Sequence, residues 1–342
     1  MKAARTTYQQ LLSRISSTIE VGKEHALSVI NEQMLQTYWE IGHYIVVYEQ
    51  HGNERAEYGS TLLKNLSKDL STKFGKGFSR SNIQMMRQFF LFYPEFQGRK
   101  EKQKRQTSGK LTWSHYCELI SISDDKARSF YEKQSIKENW SVRELKRQVD
   151  TALFERLALS KDKKGVIRLA KEGHEIAGPS DIVKDPYFFE FLNLPQSHQL
   201  TEKGLEKKLI DNLQQFLLEL GKGFSLVARQ YKITIDNQHY FIDLVFYHRI
   251  LKCFVLIDLK INKVKHQDIG QMNLYLNYFK EEENADGDHD PIGIIICADK
   301  NDLLVKYATG GLSNRIFVSK YKLYLPDSKL LEQKVKEIIS GK

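Results

Sequence analysis

Through the first 160 residues, apolar and polar positions alternate at a helical period. From Glu24 to Gln50 the apolar side chains fall at Leu27, Ile30, Met34, Tyr38, Ile41, Ile45 and Tyr48, the rhythm of an amphipathic helix. A second helix is predicted from about Tyr58 to Phe74, with Leu62, Leu63, Leu66 and Leu70 inward and Gly75-Lys76-Gly77 as its stop. Ser79 to Asn82 caps a third, which carries Met85, Met86, Phe89 and Phe90 to a stop at Pro94. Thr112-Trp113-Ser114 and Asn139-Trp140-Ser141 read as further helix starts. No β-rich stretch interrupts this half.

The pattern changes at Leu200. Thr201 caps a helix with Leu205, Leu209, Leu213, Phe216 and Leu220 on one side, ended by Gly221-Lys222-Gly223. Three strand-like runs come next, Phe224–Ile235, His239–Tyr247 and Cys253–Lys260, the first two joined by the turn signal Asp236-Asn237-Gln238. A helix over about Lys265–Glu282, a buried strand Ile292–Ala298, a short helix near Asn301–Tyr307 and a strand from Arg315 to Tyr324 complete the order. The sequence α-β-β-β-α-β-α-β predicts a mixed sheet with helices on its faces, so the fold class is α + α/β. The expected division is a helical domain over 1–160, an interdomain segment over 161–198 and a mixed-sheet domain over 199–342. The interdomain stretch holds an apolar knot, Tyr187 to Leu192, expected to dock on one domain. Gln97 to Lys110 is polar and basic and reads as a solvated linker.

Two acids break the apolar strand runs. Asp243 lies within Tyr240–Tyr247 and Asp258 within Cys253–Lys260, and a buried, unpaired carboxylate is costly. If a turn over Arg249–Lys252 joins these strands, His248 pairs with Cys253. Asp243 then falls opposite Asp258, with Cβ atoms about 5 Å apart. Two like charges at that distance call for a cation. Lys260, two residues beyond Asp258, shares its face. Glu206 shares a helical stripe with Ile210, Leu213 and Leu217 and is a third candidate acid. Magnesium or manganese accepts such a set: Asp243, Asp258, Glu206, the carbonyl of Leu259, and water. Gln271, beside Gly270 on the following helix, is placed to reach the same point. Each feature also has an ordinary reading. A lone Asp-x-Lys is usually a surface ion pair, an inward Asp243 can bind backbone amides or Arg229, and Glu206 can be a solvated first-turn residue. The combination favours phosphodiester hydrolysis.

Bulk properties narrow the setting. The chain of 342 residues with 41% hydrophobic content is long enough for two cored domains. Its longest apolar run, Ile292–Ala298, is far short of the roughly 20 residues that span a bilayer. The start of the chain lacks the apolar core of a secretory signal, and three scattered cysteines make no disulfide framework, so a cytoplasmic location without membrane contact is expected. The net charge is +9, and residues 1–160 hold 25 Lys and Arg against 18 Asp and Glu. That surplus suits a polyanion, because each neutralised phosphate releases counterions.

Helix, hairpin and D…(D/E)xK together resemble the PD-(D/E)XK nuclease superfamily with its restriction-endonuclease-like core. The whole chain is similar to the YhcG-type, DUF1016 family, a helical N-terminal domain followed by such a nuclease domain. The resemblance is carried by Tyr58-Gly59 through Gly77–Asn82, Lys184–Tyr187, Leu205–Leu213, Gly221–Phe224, Ile242–His248, Asp258-Leu259-Lys260 and Gly270–Asn273. It implies a Mg²⁺- or Mn²⁺-dependent nuclease acting on nucleic acid, DNA foremost, in genome maintenance, recombination or defence. It also implies Asp243 and Asp258 as metal ligands, Lys260 as catalytic lysine, and Glu206 and Gln271 in support. Two positions depart from the family pattern. Ile242 stands where the motif name has proline, and Asp258 stands where glutamate is commoner.

In the first half, the Leu62–Leu70 helix, the glycine turn and the helix after Ser79 form a candidate helix-turn-helix that offers Arg80, Asn82, Gln84 and Arg87 to a major groove. A second basic cluster is Arg143, Lys146 and Arg147. The Ile30–Tyr48 helix carries enough bulky residues for a dimer interface, and a homo-oligomer is expected. The competing reading is a non-cleaving nucleic-acid-binding or assembly protein whose nuclease fold is inactive or switched on by a partner.

Overall fold

A single long helix, α1 (Tyr8–His51), opens the computed structural model, which describes residues 8–51, 56–96, 111–159, 161–194, 201–325 and 327–340. The chain divides into two compact units, Met1–Lys146 and Arg147–Lys342. In the first unit α1 is followed by α2 (Ala56–Phe74), α3 (Arg80–Phe92), α4 (Trp113–Ile120), α5 (Asp125–Glu138) and the start of α6 (Val142–Asp150). The expected periodic face of α1 packs only in part: Ile45 joins Leu63 and Ile83 in a core that Ile41, Leu66 and Leu70 flank, while Leu27, Ile30, Met34 and Tyr48 are exposed and Leu35, Trp39 and Val46 are buried instead. Gly42 lets α1 approach α3, since a Cβ there would run into the backbone carbonyl of Met86. Ser79 caps α3 by accepting the Asn82 N–H at 3.3 Å. The Gln97–Lys110 linker lies outside the described residues.

The second unit continues from α6 with α7 (Leu153–Leu159) and α8 (Lys163–Glu172). Then come β1 (Tyr187–Phe188), α9 (Glu202–Asp211), α10 (Leu213–Leu220), β2 (Phe224–Ile235), β3 (Gln238–His248) and β4 (Cys253–Lys263). It closes with α11 (His266–Tyr278), β5 (Ile292–Asp299), α12 (Asp302–Thr309), β6 (Arg315–Lys322) and α13 (Ser328–Ser340). One six-stranded sheet has the order β1-β6-β5-β4-β3-β2. β2, β3 and β4 pair antiparallel; β4, β5, β6 and β1 run parallel. Each face of the sheet carries a core. Leu205, Leu209, Phe216 and Leu220 from α9 and α10 cover one, and Ile269, Met272, Tyr275 and Leu276 from α11 cover the other.

The mixed sheet with helices on both faces is the architecture the strand order predicts, and three details extend or depart from the sequence reading. The helix expected from Thr201 to Gly221 is two helices, because the Asn212 side chain donates to the Lys208 carbonyl at 2.9 Å and competes with the helical ladder. The aromatic knot docks by adding β1 to the sheet beside β6 and burying Tyr187, Phe189 and Leu192. The carboxy-terminal helix α13, which the periodicity did not reveal, packs on α7 and α8. Among the described residues no helix is long and apolar enough to cross a membrane.

Candidate active site

The hairpin of β3 and β4 sets the site. Its ladder runs from His248–Cys253 to Leu244–Ile257, the register that places Asp243 and Asp258 at the next step, and there the pairing stops. Two carboxylates side by side repel, and Asp243 takes another partner. Its Oδ2 accepts the backbone N–H of Leu259 at 2.8 Å, and its Oδ1 accepts the Gln230 amide at 2.9 Å. The sequence alternative in which an inward Asp243 binds a backbone amide is therefore realised, without displacing it from the hairpin mouth.

Asp258 is 4% exposed, on a strand whose flanking residues Ile257 and Leu259 are fully buried. Its Oδ2 lies 2.7 Å from Lys260 Nζ. Burial pushes the Asp258 carboxyl up to about 7, and the nearby Asp243 charge adds to that while Lys260 opposes it. For Lys260, burial favours the neutral amine, but the Asp258 carboxylate outweighs it and holds the ammonium above its usual range. The two residues share a face and an ion pair, as two-residue spacing on a strand requires.

Glu206 projects from α9 and is 2% exposed. Its Oε2 accepts from Gln230 Nε2 at 2.6 Å, so it reaches Asp243 through that amide. Arg229 pairs with Glu206, Nε to Oε1 at 3.2 Å, and not with Asp243. That alignment makes no hydrogen bond, which leaves Glu206 Oε1 buried with unused lone pairs. Burial raises the Glu206 carboxyl above its ordinary value, with Gln230 pulling the other way. Gln271, on α11, donates to the Tyr275 hydroxyl, which in turn donates to the Phe241 carbonyl at 3.1 Å. It braces β3 next to Asp243. Tyr275 carries no motif of its own in the sequence, although its i, i+4 spacing from Gln271 puts the pair on one helical face. Gln230 left no comparable signal.

The donors at the hairpin mouth are hard oxygens, which suit magnesium or manganese. Among the described residues no three His, Cys, Asp or Glu side chains converge closely enough to form a cation cage. Two carboxylates completed by water and phosphate oxygens are what magnesium commonly takes. The N–H and C=O of one strand residue project toward the same edge, so Leu259 turns its carbonyl toward the Asp243 side as well. The buried, under-compensated Asp258 beside the preset oxygens of Asp243 makes the group fit.

In the first unit Arg80 and Arg143 are exposed, as is Lys146. Asn82 is engaged internally: it donates to the Gly77 carbonyl and accepts the Trp113 indole N–H at 2.8 Å. Arg87 pairs with Glu49 at 2.7 Å, and Gln84 is half-buried. Arg147 belongs to the second unit, where it pairs with Glu190 at 3.1 Å and Glu219 at 3.4 Å.

Comparison with known proteins adds to this geometry. Residues 180–336 match the YhcG PDDEXK nuclease domain, and residues 14–156 match the DUF1016 N-terminal domain. A protein of Escherichia coli (strain K12) named "Putative nuclease YhcG" is 38% identical over 348 residues, covering 95% of this chain and 92% of that protein. The chain belongs to the YhcG family. Its second unit carries the family's nuclease domain of PD-(D/E)XK type. Among solved structures, a repair endonuclease from Pyrococcus abyssi overlaps 39% of this chain and 50% of its own, at 17% identity and a TM-score of 0.27. EndoMS in apo form overlaps 38% and 48%, at 13% identity and a TM-score of 0.24. The YhcG assignment rests on the family match and the shared length, not on these partial overlaps.

Proposed function

We propose that this protein hydrolyses phosphodiester bonds in DNA with Mg²⁺ or Mn²⁺ held by Asp243, Asp258 and the Leu259 carbonyl. The observation that carries the reading is the buried Asp258–Lys260 pair at the hairpin mouth, beside an Asp243 whose two oxygens are both fixed. A bound divalent ion supplies Lewis acidity toward the scissile phosphate and acidifies water. The chain does the rest. Asp243 and Asp258 present preset oxygens, and Lys260 keeps its proton and offers a charged donor to a non-bridging phosphate oxygen. Glu206 acts at one remove, through Gln230, and Gln271 with Tyr275 holds β3 in place.

Nucleic acid as substrate is supported by the family and by the basic first unit, where Arg80, Arg143 and Lys146 are exposed to meet phosphates. Self-association is supported by α1, whose residues from Tyr8 to Leu27 are exposed on every side. The deciding experiment incubates the purified protein with single-stranded, duplex and branched DNA in Mg²⁺ or Mn²⁺. Cleavage is expected, and Lys260→Ala and Asp243→Ala each abolish it while the thermal melt stays cooperative. Cleavage that persists in both variants rejects the site. Tight, salt-sensitive DNA binding without cleavage under any divalent ion supports the non-cleaving reading instead.

A further inference from the structure

Gln230 touches both Glu206 and Asp243, and it does so from an unusual backbone. Its φ is +48°, in the left-handed region that non-glycine residues enter at a cost. Past a bulge between Leu226 and Ala228 the ladder pairs Arg229 with Leu244 and Tyr231 with Ile242, and Gln230 itself is skipped opposite Asp243. The skip has a consequence for side-chain direction. Ala228 and Val245 face the core beneath α11, and so do Tyr231 and Ile242 three positions along. In an unbroken strand, positions three apart point to opposite faces. Both strands therefore reverse face across Gln230 and Asp243, where the site lies.

The amide uses that position fully. A primary amide nitrogen has two hydrogens, and here one goes to Glu206 Oε2 at 2.6 Å and the other to Asp243 Oδ1 at 2.9 Å. With Leu259 N–H on Oδ2, the Asp243 carboxylate is tied at both oxygens, and each oxygen retains a lone pair for a cation. The Lys260 ammonium is engaged by Asp258, and the Gln230 amide is what links the α9 acid to the hairpin mouth.

We infer that Gln230 is a positioning residue: its amide fixes the Asp243 carboxylate, with Glu206 as its anchor, in the orientation that receives the divalent ion. This rests on the metal-dependent reading of the site. Partners that hold a ligating carboxylate typically change metal affinity by about 10- to 100-fold when removed. A competing, purely structural role would change stability and leave affinity alone.

The test is a Mn²⁺ titration of the full chain followed by thermal unfolding, with a melt in chelator as the baseline, on wild type, Gln230→Met and Gln230→Glu. Methionine keeps the length and removes both donors; glutamate keeps the shape and replaces donors by charge. Wild type is expected to gain melting temperature with Mn²⁺. Gln230→Met raises the midpoint of that gain by about tenfold, and the Mn²⁺ needed for half-maximal DNA cleavage rises in parallel. Gln230→Glu loses cleavage more than it loses Mn²⁺ binding, since it adds an acceptor while repelling its two neighbours. Unchanged Mn²⁺ midpoints in both variants, beside a normal wild-type response, overturn the inference and leave the proposed function standing. A wild type whose melt ignores Mn²⁺ overturns both.

Discussion

Glu219 shows how a single acid can be forced to remain charged in a protein interior. It is fully buried on α10, and burial alone would raise its carboxyl. Arg156 at 2.8 Å, Lys184 and Arg147 outweigh that and draw the carboxyl down to about 2. The backbone N–H of Phe188 adds a bond at 2.9 Å, so the cluster ties α10 to β1 and α7 within the second unit. A carboxyl depressed from 4.5 to about 2 contributes stability above pH 4.5 that disappears as pH falls toward 2. The amount is on the order of 3 kcal/mol. Wild type should therefore lose melting temperature between about pH 4.5 and pH 2 more steeply than Glu219→Gln. Parallel melting curves for the two proteins would contradict the assignment. Asp258 is the opposite case. Its burial is compensated mainly by Lys260, a poise suited to a group that awaits a cation.

Between elements, close approach is decided by small residues. At Gly42 a β-carbon would meet the Met86 carbonyl, a backbone atom that cannot rotate away. Gly42→Ala must push α1 from α3 and is expected to cost about 1–3 kcal/mol, as overpacking does. Chemical denaturation should show the first unit unfolding at lower denaturant, with the Mn²⁺ response of the second unit intact. Loss of that response together with the first unit would refute the separation. The hairpin was legible at this scale. The turn over residues 249–252 fixed the pairing of His248 with Cys253, and with it the ladder as far as Leu244 and Ile257. The end of the ladder was not legible, because Asp243 turns to the Leu259 N–H and the Gln230 amide, partners that alternation along one strand does not encode.

For the whole molecule, the amino-terminal stretch of α1 leaves a long run of apolar side chains open to solvent. Leu12, Ile15, Ile19, Gly22, Ala26 and Val29 recur at alternating three- and four-residue steps, the spacing of a coiled-coil seam. The four large ones are each about half exposed. Most helical stability in proteins comes from packing an apolar face, and a matching copy would bury this seam. Sedimentation of the full chain should give a self-associated species that Ile15→Lys with Ile19→Lys converts to monomer. A monomeric wild type would end the self-association reading.

Sequence alone determined the features set by local period and register. Helix and strand order, the fold class, and the shared face of Asp258 and Lys260 all come from 3.6- and 2-residue repeats along one segment at a time. Three things needed the folded chain. Arg147 and Arg156 look like surface cations until Glu219 is brought to them from more than sixty residues away. Glu206 joins the site only because α9 lies against the hairpin, and it does so through Gln230. Tyr187 and Phe188 become a strand only because β6 offers an edge to pair with. In each case the partner is distant in sequence, and no local pattern encodes a contact whose other half lies elsewhere in the chain.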